Sequence, residues 1–212
     1  MPEALQFALV TFTAILFVVD PFAAVPIFLV ITAGDSADKR RETAGRAALA
    51  AFITLTLFAL AGGLIFQLFG ITLGAFEIAG GIMLLLMAID MMRATPSRTR
   101  STEEEQRESA EKEDVAIVPM AIPMLSGPGA IATAMVLMKR AQWKIAPTVT
   151  VIASIALTCA ISFLVLRGAA RAQTFLKKTV LHVFERVMGL LLAAVAVEFM
   201  VGGLRDIWPA LR

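Results

Sequence analysis

The sequence predicts an all-α, multi-pass membrane protein: six transmembrane helices in a 3+3 inverted repeat, with the first and fourth helices discontinuous. Three observations predict it. Of the 212 residues, 58% are apolar and only 17% charged, whereas soluble domains carry about 25% charged residues. Six stretches reach the roughly 20 apolar residues that a bilayer-crossing helix needs. Finally, the third and sixth stretches share a residue pattern, and the first and fourth share a proline-centred interruption.

The first stretch, 4–33, is predominantly apolar, carries no charge other than Asp20 and is interrupted by Pro21 and Pro26. The second and third, 46–69 and 71–92, are separated only by Leu68-Phe69-Gly70-Ile71-Thr72, which predicts a tight hairpin. The fourth, 115–138, carries Pro119, Pro123 and Pro128, the last between Gly127 and Gly129. The fifth and sixth cover 145–167 and 180–204. Domain organisation follows: a three-helix repeat over 1–92, a charged linker over 93–114, and a second three-helix repeat over 115–212, all one membrane domain. The linker, rich in Glu, Arg and Ser, reads as a solvated tether.

Basic residues fall mainly in alternate loops. Lys39, Arg40, Arg41 and Arg46 lie in the first, Arg93, Arg98, Arg100, Arg107 and Lys112 in the third, and Arg167, Arg171, Lys177 and Lys178 in the fifth. Opposite these thirteen stand five: Lys139, Arg140 and Lys144 in the fourth loop, with Arg205 and Arg212 near the C-terminus. The positive-inside rule then places both termini on the outer side, with Trp143 and Trp208 at the same outer interface. The opening M-P-E-A-L-Q lacks the basic region of a secretory signal, so the first apolar stretch is expected to be retained.

Composition also excludes classes. A net charge of +2, with its basic residues in short loops, does not predict nucleic-acid binding. One cysteine, Cys159, and one histidine, His182, leave neither a disulfide nor a metal-ligand cluster. No arrangement for nucleophilic or metal-assisted catalysis is visible, so neither an enzyme nor a bound cofactor is expected.

The repeat is clearest when Phe76 to Met92 is laid over Phe184 to Met200. Phe76, Glu77, Gly81, Leu84, Ala88 and Met92 meet identical residues, and Asp90 meets Glu198. In the first and fourth stretches Pro21 pairs with Pro128 and Ala23 with Ala130, so D-P-F-A-A-V-P lies opposite G-P-G-A-I-A-T. An odd number of crossings per half makes the second half enter from the opposite side, a pattern typical of secondary transporters.

The two interruptions are the candidate binding site. Proline removes a backbone donor and crowds the preceding turn, and an unwound backbone at membrane depth is tolerated only where protein or water lines it. The expected substrate-binding residues are Asp20, Pro21, Phe22, Ala23 and Ala24 in the first break, and Ser126, Gly127, Pro128, Gly129 and Ala130 in the second. Pro26, Pro119 and Pro123 complete the helix breaks. Free N–H groups after Pro21 and Pro128 suit a carboxylate and loose carbonyls suit an ammonium group, so a zwitterionic amino acid fits both demands. Asp20 reads as an N-cap of a half-helix beginning at Pro21, either alone or together with contact to substrate or proton. Glu77 and Glu185 read either as structural partners of Arg186 or the backbone, or as sites of ion coupling to protons or sodium.

At V-D-P-F-A-A-V-P-I-F (19–28) and V-P-M-A-I-P-M-L-S-G-P-G-A-I-A-T (118–133), the chain resembles the MarC family of six-span bacterial inner-membrane proteins. The resemblance spans the whole chain through span count, loop lengths and linker. It implies an inverted-repeat transporter with discontinuous first and fourth helices in the cytoplasmic membrane, moving small neutral amino acids such as glycine or alanine. One departure is that Ala23 and Ala24 stand where the family motif often carries glycine and a polar residue, which implies a smaller, more apolar pocket. The expected partners are that substrate and the lipid bilayer, with self-association into a homo-oligomer left open.

Overall fold

The computed structural model describes residues 3–32, 35–93, 124–172 and 178–208, less the side chains of Pro26, Val30, Ile31, 170–172 and 178–185. Among the described residues the elements are all helices: α1 (Glu3–Val19), α2 (Val25–Ile31), α3 (Ala37–Phe69), α4 (Leu73–Met92), α5 (Pro128–Arg140), α6 (Ile145–Ala172) and α7 (Lys178–Ile207). Among the described residues, four segments are long and apolar enough to cross a membrane: Ala37–Phe69, Leu73–Met92, Ile145–Ala169 and Arg186–Ile207. The first apolar stretch is split instead into helices of 17 and 7 residues. In the fourth, Pro119, Pro123 and most of the linker lie outside the described residues.

Local chemistry sets the ends. Ser36 caps α3 by accepting from the Lys39 amide, which extends this helix well before the expected start at residue 46. Ser, Asp and their like at an N-cap satisfy amides that the helix itself cannot. At its far end Gly70 adopts a left-handed φ of 63° and its N–H returns to the last turn. Thr72 then caps α4 by accepting from Ala75 N–H. The five-residue hairpin read from the sequence is therefore a glycine stop followed directly by a threonine start. Arg40, in the first turn of α3, donates from Nε to the Thr32 carbonyl just after α2 at 2.8 Å, tying that short helix to its successor.

Packing places α5 at the centre. It contacts α1, α3, α4 and α6, and every residue from Ala132 to Met138 is buried. Small residues let it approach closely: a methyl group placed on Gly80 of α4 would lie 3.2 Å from Ala132 Cβ, and one on Gly62 of α3 would lie 3.0 Å from Met135 Cγ.

The most extensive helix pair is α4 with α7, running antiparallel. Its contacts are reciprocal. A methyl group on Gly81 would lie 2.8 Å from the Ala196 carbonyl oxygen and 2.6 Å from Met200 Cγ. On Gly189 it would lie 3.0 Å from the Ala88 carbonyl oxygen and 3.1 Å from Met92 Cγ. Gly81, Ala88 and Met92 are the residues that the sequence overlay sets on Gly189, Ala196 and Met200. Only glycine, lacking Cβ, allows backbones this close, and in lipid such packing is a main source of helix association.

Candidate functional site

Asp20 ends α1. Its N–H donates to the Leu16 carbonyl at 3.0 Å, continuing the helix, while its own φ of 46° turns the chain left-handed. Asp and Asn tolerate this region better than other side-chain-bearing residues because a short polar group can bond locally. Here Oδ1 accepts from Ala23 N–H at 3.3 Å. The expectation of an Asp20–Pro21 N-cap pair is thereby corrected. Residues 21–24 form a turn, Val25 N–H donates to the Phe22 carbonyl, and the next helix starts at Val25. Pro26 stands second in that helix, in the first turn where its missing N–H costs least. The Ala23 amide is already engaged by Asp20, so it is not a free half-helix donor for an anion.

The second break behaves differently. Gly127 caps α5 with extended backbone and no side-chain hydrogen bond, and Pro128 occupies the first helical position. An N-terminus without a side-chain cap presents its amides, and the positive end of the helix dipole, to whatever lies beside it. Thr133 is fully buried one turn on and donates to the Gly129 carbonyl at 2.8 Å.

The two breaks are neighbours. The last turn of α1 meets the first turn of α5, where a methyl group on Gly129 would lie 3.6 Å from Val18 Cγ1 and 2.8 Å from Leu84 Cδ2 of α4. Asp20 and Ser126 are each 1% exposed, and Pro21, Ala24, Gly127, Gly129 and Ala130 are buried as well. Ala23 is half-buried, whereas Phe22 and Pro128 are exposed. Of the ten expected binding residues, eight are thus buried or half-buried and two are exposed.

Glu77 is fully buried in the first turns of α4. Its Oε1 accepts from Arg140 Nε at 2.9 Å, which corrects two expectations. The partner is Arg140 rather than Arg186, and Arg140 belongs to the last turn of α5 rather than to a loop. The Glu185 side chain lies outside the described residues. Asp90 is half-buried near the end of α4, whereas the exposed Glu198 lies in the middle of the Arg186–Ile207 segment rather than near its end.

Reading for charges and prolines missed the buried hydroxyls. Ser154, Thr158 and Ser162 recur every fourth residue along α6 and are buried, as is Thr11 of α1, the helix that packs on α6. The i, i+4 spacing was the available signal. Ser162 donates to the Thr158 carbonyl, whereas the Thr158 and Thr11 hydroxyls have no hydrogen-bond partner among the described residues. A groove of about 340 Å³ lies away from the breaks, between α3 and α6, and is lined by apolar residues including Phe52, Cys159 and Phe163. No cluster of metal-ligating residues occurs among the described residues.

Comparison with known proteins gives a consistent family. A family profile described as MarC family integral membrane protein matches residues 5–208. The UPF0056 membrane protein YvbG of Bacillus subtilis is 37% identical over 97% of this chain and 98% of its own length. MJ1677 of Methanocaldococcus jannaschii is 36% identical over 95% and 97%, and YhcE of Escherichia coli 33% over 94% and 93%; both are likewise named UPF0056 membrane proteins. No solved structure matches the chain.

Proposed function

Because the chain belongs to the MarC family of integral membrane proteins, we propose that it is a secondary transporter of small neutral amino acids, binding glycine- or alanine-sized substrates where its two helix breaks meet. The observation that carries this reading is the meeting itself. Two interruptions that pair in the sequence overlay come together in the interior, one ending α1 at a buried carboxylate and the other opening α5 at an N-terminus without a side-chain cap. An amino acid's carboxylate suits the α5 N-terminus, and its ammonium suits the acidic end of α1. The close approach of Leu84, Met87 and Val18 to Gly129 limits the substrate's side chain to something small.

The finer architecture belongs to the same proposal. The reciprocal α4–α7 packing supports an inverted repeat whose two halves rock about that pair. The chain then crosses the cytoplasmic membrane six times, α1–α2 and the segment ending in α5 being the discontinuous spans, with both termini outside. It acts without a cofactor and without enzymatic chemistry, coupled to protons or sodium.

A second reading, a non-transporting membrane assembly factor, is favoured by the tight packing of Leu84 and Met87 against Gly129. Counterflow of labelled glycine and alanine in proteoliposomes separates the two. Saturable exchange is expected, and its absence with every small amino acid, across several pH and sodium conditions, would overturn the transporter reading.

A further inference from the structure

We propose that the Glu77–Arg140 ion pair is a latch that fastens the C-terminal end of α5 to α4 and α7 and closes the Trp143 side of the protein. The proposal rests on the transporter reading for what the latch regulates, but its geometry stands apart from any substrate.

Arg140 touches two helices besides its own. Its Nε donates to Glu77 Oε1 of α4 at 2.9 Å, and its guanidinium carbon lies 5.9 Å from the Phe199 ring centroid of α7. Gly202 of α7 makes room for both partners: a methyl group there would lie 2.8 Å from Arg140 Nη2 and 3.0 Å from Glu77 Oε2. The pair thus pins three helices at one point.

The position along α5 matters. At 1.5 Å per residue, its 13 residues put Arg140 about 20 Å from the break at Gly127, a distance comparable to half a bilayer with its headgroups. The break is one end of this helix. The other runs into Gln142 and Trp143, both left-handed at φ 51° and 56°, a conformation that costs each about 1 kcal/mol or more. A helix with a pivot at one end and a strained turn at the other can be released at its tip.

The chemistry suits a latch. A buried carboxylate parted from its partner is costly, so the pair holds the closed form until Arg140 is drawn out. The pair is asymmetric: the Glu77 side chain is fully buried, while that of Arg140 is 40% exposed. Oε2 of Glu77 has no hydrogen-bond partner among the described residues, so Arg140 is its principal compensation. Withdrawing Arg140 into water frees the α5 tip and leaves Glu77 to be recaptured on closing.

The test uses the full chain with Cys159→Ser and Ser126→Cys, which makes residue 126 its only thiol, reconstituted in sealed vesicles. A membrane-impermeant maleimide is applied from each side in turn. Slow labelling from the Trp143 side is expected for this parent, and Glu77→Gln is expected to raise it about tenfold by shifting the population toward the open form. Gly202→Ala, which wedges the pair without changing charge, should do the same, whereas Arg205→Gln, an exposed cation near the same end of α7, should not. Should Glu77→Gln fail to fold, Gly202→Ala decides. Fast labelling of the parent, or unchanged labelling in folded latch variants, would overturn the latch. No amino acid is added, so this result and the counterflow result fail independently.

Discussion

Glu77 and Arg140 lie 63 positions apart in sequence and meet through a 2.9 Å hydrogen-bonded ion pair whose carboxylate is wholly buried. Removing one partner of such a pair is worse than removing the charge that needs it. Arg140→Gln strands a buried carboxylate and is expected to cost about 3–5 kcal/mol. Glu77→Gln leaves a neutral amide and should cost markedly less. Unfolding titrations of the two purified variants in mixed detergent check the order, and a Glu77→Gln protein as unstable as Arg140→Gln would contradict it.

Gly81 and Gly189 make equivalent contacts across α4 and α7. Alanine at either position drives a methyl group against a facing carbonyl oxygen, so each substitution should destabilise by about 1–3 kcal/mol, the usual cost of overpacking. Similar losses are expected from both, because the environments mirror one another. Thermal denaturation in detergent provides the comparison, and a large loss at one site with none at the other would contradict the reciprocal packing.

Asp20 combines a left-handed backbone with a local hydrogen bond to Ala23. Asparagine keeps both features and removes only the charge, whereas alanine loses the bond and is strained at that φ. Asp20→Ala should therefore cost about 1–2 kcal/mol and Asp20→Asn much less. Counterflow by folded Asp20→Asn then isolates the carboxylate: loss of flux assigns the charge to transport, and retained flux confines it to shaping the break.

Gly70 tests backbone strain by itself. Its φ is 63° and nothing within 4 Å would obstruct a side chain. Gly70→Ala should cost about 1 kcal/mol through conformation alone, and Gly70→Asn less. Equal stability of all three in a denaturation series would show that the α3–α4 hairpin relaxes.

The hairpin illustrates what local pattern reveals. Glycine before threonine, between two apolar runs, names its own stop and start because both signals act within a few residues. The Asp20–Pro21 break was legible for the same reason, but not its form. An Asp-Pro pair is equally compatible with a helix start and with a left-handed helix end, and Asp20 takes the second. The partner of Glu77 was harder still, since span boundaries assigned Arg140 to a loop and nothing in the local pattern joins α4 to α5.

By itself, the sequence determined an all-helical membrane protein, the interruption at Asp20, and the likeness in residue pattern between Phe76–Met92 and Phe184–Met200. These are properties of hydrophobicity, proline and glycine spacing, which act over a turn or two of chain. Only the tertiary structure decided that Gly81 and Gly189 face each other's helices, that Val18 meets Gly129, and that Arg140 rather than Arg186 neutralises Glu77. Those choices depend on which surfaces can approach closely enough to exclude lipid and water, and that is settled when the helices pack.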